Sequence, residues 1–399
     1  MFFSRRTAPI VDGERVNHLL TRGVEAVIPR ELAVKKLASG ERLRVYLGID
    51  PTGAALHLGH SVVLRKLNEF AELGHDVIFV VGSFTAMIGD PSGRDIMREP
   101  LAKEDVEKNF RDYKQQASKV LDFSRVSVRY NHEWLEKLSL ADLTKLASNF
   151  TVQQLLQRDM FQKRLEEGKP IALHEFLYPV MVGYDSAFLD VDCEIGGSDQ
   201  EFNILAGRQL QTALKKRDKF VLTTKLIEGT DGRKMSKSYN NCVFLEDTAP
   251  VMFGKLMSIR DELVPVYLDV LTDLSAEEQK TILAMHPKDA KAALAKEIVR
   301  MYHGERDATR ALDTFDATFR KGEVPDDVQE VKSLGTLKDT LVKNGVVESN
   351  SEYTRLVLSN AVRRIDGGSD TKITDAHTAH APHGAVFRIG KHRIVKIIE

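Results

Sequence analysis

The feature that most restricts what this chain can fold into is a pair of short apolar runs, residues 44 to 49 ("RVYLGI") and 77 to 81 ("VIFVV"), with a helical pattern between them. Both runs are rich in β-branched residues and apolar on both sides of a pleat, as buried parallel strands are. The intervening "LGHSVVLRKLNEFAELG" places Val62, Leu64, Leu67, Phe70 and Leu73 at helical spacing and closes on Gly74, a C-terminal cap. This is a βαβ unit. Further strands are predicted at 126 to 130, 191 to 195 and 220 to 224, and helices near 103 to 122, 140 to 166, 174 to 189 and 199 to 215. Such alternation predicts an α/β fold, a doubly wound parallel sheet of Rossmann-like type through about residue 244, with an inserted segment at about 101 to 150. The ligand crevice of such a sheet lies beyond the carboxyl ends of its strands. The glycine-containing turns "DPTG" and "GSFTAMIGDPSG" both follow strands and fall there.

The pattern changes after residue 244. Residues 245 to 325 read as helix after helix, an α-helical domain, and "EVPDDVQE" reads as a linker. Residues 332 to 399 suggest a small α+β domain: short helices, then the alternating "AVFRIGKHRIVKIIE". The chain's formal net charge is −1, which excludes coating of nucleic acid or membrane by bulk electrostatics. The last segment nevertheless holds 11 Lys and Arg against 7 Asp and Glu, so a nucleic-acid partner is expected there. Two cysteines, Cys193 and Cys242, make neither a disulfide framework nor a thiolate zinc site. The start of the chain lacks a signal-like apolar core, and the longest apolar stretch, "VIFVVGSFTAMIG", is too short to span a bilayer. A cytoplasmic protein is expected.

"HLGH" (57 to 60) stands at a strand exit leading into a helix, where unpaired N–H groups and the dipole favour phosphate. His57 and His60 can donate to phosphate oxygens without full charge; alternatively one caps the helix and the other packs. Two histidines at this spacing without a third ligand make a poor metal site, so no protein-bound metal is expected. The second signature is "DGRKMSKS" (231 to 238), whose Lys234 and Lys237 can close over a triphosphate and follow charge developing on a leaving pyrophosphate.

In that order, "HLGH" and "KMSKS" resemble the signatures of class I aminoacyl-tRNA synthetases. The segments "YLGIDPTGAALHLGH", "GDPSGR", "EFLYPVMVGYD", "IGGSDQEFNI" and "FRIGKHRIVKI" resemble the bacterial tyrosyl-tRNA synthetases, over residues 44 to 399. The resemblance implies a ligase that activates L-tyrosine with ATP, Mg²⁺ travelling with the nucleotide, and then charges tRNA(Tyr), as a homodimer. It implies Tyr46 and Asp185 as partners of the substrate phenol, Asp90 and Tyr178 at its ammonium group, and Gln200 near its carboxylate. For ATP it implies Gly48, Asp50, Gly59, Gly197 and Asp199, with Thr52, His57, His60, Lys234, Lys237 and Arg94 around the phosphates. For tRNA it implies Lys343, Arg355, Arg363, Arg364, Lys391 and Arg393, since the tail is similar to a small RNA-binding domain also found in a ribosomal protein. Val182 departs from the family, many of whose members carry a glutamine there. Two alternatives stay open: a tryptophan-activating member of the class, and a catalytically silent relative that only binds RNA. A simple nucleotidyltransferase would need neither the helical domain, the lysine loop nor the tail.

Overall fold

The computed structural model describes residues 8–51, 55–92, 103–320, 328–366, 369–376, 379–390 and 393–398. Thr52, Arg94 and Lys391 lie outside these residues. The chain divides into two compact units, residues 1–246 with 265–274, and residues 247–264 with 275–399.

The first unit is built on a sheet of strands β1 (Val24–Ile28), β2 (Arg44–Ile49), β3 (Asp76–Val81), β4 (Val126–Tyr130), β5 (Cys193–Gly197) and β6 (Phe220–Thr224). Their order is β1-β6-β5-β2-β3-β4. The pairs β2/β3, β3/β4, β2/β5 and β5/β6 are parallel, as the apolar runs predict. β1 was not foreseen: it runs antiparallel along β6, and its partly exposed residues give an edge strand only a faint sequence signal. The winding reverses between β2 and β5, so the switch point lies beyond Ile49 and Gly197.

The helix Leu58–Glu72 follows β2 and ends before Gly74, which takes φ +88°. The single helix expected over 140 to 166 is three: Leu140–Ala147, Val152–Leu156 and Asp159–Glu166. The break has a local cause. Thr151 Oγ1 accepts the Gln154 N–H at 3.1 Å and starts a new helix where periodicity alone would carry the old one on. The helix Leu173–Leu189 carries Tyr178, Val182 and Asp185 at successive turns of one face, which sets all three on the wall beside the switch point.

Segment 265–274 belongs with the first unit, unlike the continuous helical domain expected over 245 to 325. Arg22 gathers the carbonyls of Asp269 (2.9 Å) and Thr272 (2.7 Å), while Tyr267 donates to the Glu228 carbonyl at 2.6 Å. In the second unit the helices Ala249–Met257, Ala276–Leu283, Pro287–His303 and Glu305–Arg320 precede a second sheet. Its strands are β7 (Gln329–Lys332), β8 (Val362–Asp366), β9 (Ser369–Lys372), β10 (Val386–Ile389) and β11 (Arg393–Ile398), in the order β7-β11-β10-β8-β9. With the helices Leu337–Lys343 and Asn350–Leu358 it encloses its own core of Leu337, Leu341, Tyr353, Phe387, Val395 and Ile397. No helix among the described residues is long and apolar enough to cross a membrane.

Candidate active site

A cavity opens at the switch point, walled by Gly48 and Ile49 at the end of β2 and Asp50 beyond it, by Ile195 and Gly196 on β5, and by Tyr178, Val182 and Asp185 from the helix between them. One hydrogen-bonded chain runs along it. Tyr178 Oη donates to Asp50 Oδ2 at 3.0 Å, and Thr85 Oγ1 donates to Asp50 Oδ1 at 2.6 Å. Asn131 Nδ2 then lies 3.0 Å from Thr85 Oγ1 and 3.1 Å from Asp185 Oδ2. Trp134 Nε1 donates to Asp185 Oδ1 at 2.7 Å. Gly82 makes this approach possible, because a Cβ there would stand 1.9 Å from Asp50 Oδ1. Burial pushes the Asp185 carboxyl well above its ordinary range, against the two donors that favour its charged form. Burial and Asp50 likewise push the Tyr178 phenol up, so it stays a donor.

Tyr46 does not join this wall. Its hydroxyl donates to Glu194 Oε1 at 2.6 Å and receives the Ser186 hydroxyl at 3.2 Å, while Glu194 also pairs with the buried Lys219. The nearest carboxylate takes the phenol, and Glu194 rather than Tyr46 borders the cavity. A glutamate inside the apolar run "VDCEI", with a lysine just before "FVLTT", was the available sequence signal. Asp90 also stands back from the cavity and reaches it through Gln200, whose Nε2 lies 2.9 Å from Asp90 Oδ2.

The histidine pair forms the cap of the helix that follows it. His57 is the N-cap of Leu58–Glu72: its Nδ1 accepts the Gly59 N–H at 3.2 Å, and His60 Nδ1 accepts the His57 N–H at 3.2 Å. A nitrogen that accepts a backbone N–H carries no proton, so each neutral ring holds its hydrogen on Nε2. Burial first, then the neighbouring ring and Lys237 and Lys234, lower His57 to about 2. Burial and the same lysines lower His60 to about 3. Two uncharged Nε2–H donors at a helix N-terminus can meet anionic oxygens. Gly59 serves the cap itself, since a Cβ there would stand 2.9 Å from the His57 ring.

The lysine loop is organised by Asn241, which the sequence reading passed over. Its Nδ2 donates to Asp231 Oδ1 (2.7 Å), to the Lys234 carbonyl (3.1 Å) and to the Arg233 carbonyl (3.2 Å), and its Oδ1 accepts the Ser236 N–H (2.8 Å). Lys234 Nζ reaches Asp199 Oδ2 at 2.7 Å. Gly197 adjoins it, as a Cβ there would stand 2.7 Å from Asp199 Oδ1.

On the second unit, Lys343 ends one helix and Arg355 lines a groove with Lys338, Asn350, Ser351, Thr354 and Leu358. Arg363 sits opposite Lys372 on β9 and Arg388 on β10, a row of three cations on one sheet face. Arg364 shares its register with the buried Phe387, on the other face. Arg393, expected on phosphate, is bound to the Val346 carbonyl and to Glu352 Oε1 (2.8 Å), so it braces the domain.

The model of the family "tRNA synthetases class I (W and Y)" matches residues 38–320. The chain belongs to that family. Its similar relatives include a tyrosine–tRNA ligase of Thermotoga maritima, 44% identical over 95% of this chain and 96% of that protein. Another, from Carboxydothermus hydrogenoformans, is 42% identical over 98% and 99%. Among solved structures of the synthetase fold, a truncated Aspergillus nidulans mitochondrial tyrosyl-tRNA synthetase superposes with TM-score 0.64 at 23% identity, covering 79% of this chain and 95% of that one. A tyrosyl-tRNA synthetase of Archaeoglobus fulgidus gives TM-score 0.60 at 21% identity, over 75% and 99%.

Proposed function

We propose that this synthetase is a tyrosine–tRNA ligase, joining L-tyrosine to ATP and passing the tyrosyl group to tRNA(Tyr). The observation that carries the reading is Asp185: a buried carboxylate on the cavity wall, held by Trp134 and Asn131 and still able to accept from a phenol. Asp185 could accept from an indole N–H as well, so the choice of the phenol rests on the tyrosine ligases among the relatives. Tyr178 and the Asp90–Gln200 pair would receive the amino acid's polar end.

The reaction needs no protein nucleophile. A carboxylate oxygen of tyrosine attacks the α-phosphorus, the bond from that phosphorus to the bridging oxygen breaks, and pyrophosphate leaves. His57 and His60 donate to phosphate oxygens through Nε2, Lys234 and Lys237 balance charge on the leaving group, and Thr52 and Arg94 would add to them. Asp199 would hold the ribose of ATP, which requires it to exchange Lys234 for the nucleotide. Gly48, Asp50, Gly59 and Gly197 line the nucleotide's approach. Mg²⁺ would travel with the nucleotide, held by its phosphates, where it supplies charge neutralisation. A 3′-terminal ribose hydroxyl of tRNA then attacks the tyrosyl carbonyl and AMP leaves.

The tail would hold tRNA through Lys343, Arg355, Arg363, Arg364 and Lys391, joined by Lys372 and Arg388. Exposed Leu140, Val152, Leu165 and Leu173 on the first unit support a homodimer. The enzyme would act in the cytoplasm. Asp185→Ala tests the core of the reading: tyrosine binding should be lost with ATP affinity nearly intact, and equal loss of both would contradict it.

A further inference from the structure

The cavity wall contains a chain of amides whose orientation is fixed from one end. An ionised carboxylate only accepts, so the group facing Asp90 Oδ2 must be the Gln200 amine. Gln200 Oε1 is then turned to Asn203, whose Nδ2 donates to it at 2.7 Å and approaches Ser92 Oγ at 3.4 Å. Both protons of that amine are thereby directed to acceptors. Asn203 Oδ1 is left on the remaining side, fully buried and accepting no hydrogen bond from any described residue. Asn203 is 1% exposed and borders the cavity. A buried carbonyl oxygen without a donor is destabilising, and its presence in a fixed orientation calls for a ligand donor.

We propose that Asn203 Oδ1 accepts a hydrogen bond from the α-ammonium group of the amino-acid substrate. The inference rests on the reading of this cavity as the tyrosine site. An ammonium brings three N–H donors and no acceptor, whereas a substrate carboxylate would meet this oxygen acceptor to acceptor. Val182, on the same wall, has no polar atom to share the task. Asp90 supplies negative charge at the far end of the amide chain, which favours a cation beside Asn203.

The test compares two ligands on Asn203→Ala by equilibrium binding. Tyrosinol keeps the phenol and the ammonium; 3-(4-hydroxyphenyl)propionate keeps the phenol and lacks the ammonium. Loss of a hydrogen bond to a charged group should weaken tyrosinol about tenfold or more and leave the propionate within about twofold. Equal weakening of both would mean that Asn203 only supports Ser92 and its neighbour Arg158, or meets the phenol, and would overturn the proposal; so would no weakening of either. Asn203→Ser serves where the alanine protein folds poorly, and the ratio of the two Kd values from one preparation is independent of the folded fraction. Tyrosine-dependent pyrophosphate exchange by the unaltered protein is run alongside. Its absence would remove the tyrosine reading itself, whereas exchange with equal losses would remove only the role of Asn203.

Discussion

His57 and His60 are held neutral by burial and by two lysines, and this neutrality has a measurable cost in acid. Their folded values, about 2 and about 3, lie below the ordinary 6.5. Between those values the unfolded chain binds the extra protons, so the two rings' contribution to stability is flat above pH 6.5 and falls as pH drops below it, by up to roughly 1.4 kcal/mol per pH unit for each ring. Urea melts at pH 7 and pH 5 should show this decline, and His60→Asn should reduce it; an unchanged slope would contradict the assignment. Lys237→Ala should lower the rate of adenylate formation about 100-fold or more with tyrosine affinity unchanged, as expected for charge stabilisation confined to the transition state. The histidines and lysines stand out in the sequence because they sit in contiguous motifs. Tyr46 was misleading for a physical reason: which carboxylate takes its hydroxyl depends on Glu194, which is remote in sequence and adjacent only once β2 and β5 pair.

Among the elements, the lysine loop depends on one buried side chain. Asn241→Ala removes the bonds to Asp231, Ser236 and two carbonyls, so the loop should lose its fixed form while the cavity keeps its own. Adenylate formation should slow about tenfold to 100-fold with the Kd for tyrosine unchanged; stopped-flow rates and equilibrium titration separate the two, and equal effects would contradict a role confined to the loop. Parallel strands buried on both faces, as β2 and β3 are, announce themselves by continuous apolar runs. β1 does not, since a short edge strand with Glu25 as its second residue reads like a loop. Caps such as Thr151 override periodicity in the same way.

For the whole molecule, the two units divide the proposed labour: amino-acid chemistry on the first, RNA binding on the second. Deleting residues 332 to 399 should leave adenylate formation intact and cripple charging of tRNA(Tyr), and charging by the full chain should weaken steeply with salt. Arg393→Ala should lower the stability of the tail more than its affinity for tRNA, because Arg393 is committed to Val346 and Glu352; a urea melt and an RNA titration of the same protein separate the two. The sequence could flag a basic tail, but the row of Lys372, Arg363 and Arg388 exists only through the registers of three strands. The central claim is that the cavity with Asp185 on its wall selects a phenol for activation by ATP. Pyrophosphate exchange into ATP, measured with each of the twenty amino acids singly, tests it most directly. The account predicts exchange with tyrosine alone; exchange with tryptophan in its place, or with none of the twenty, would contradict it.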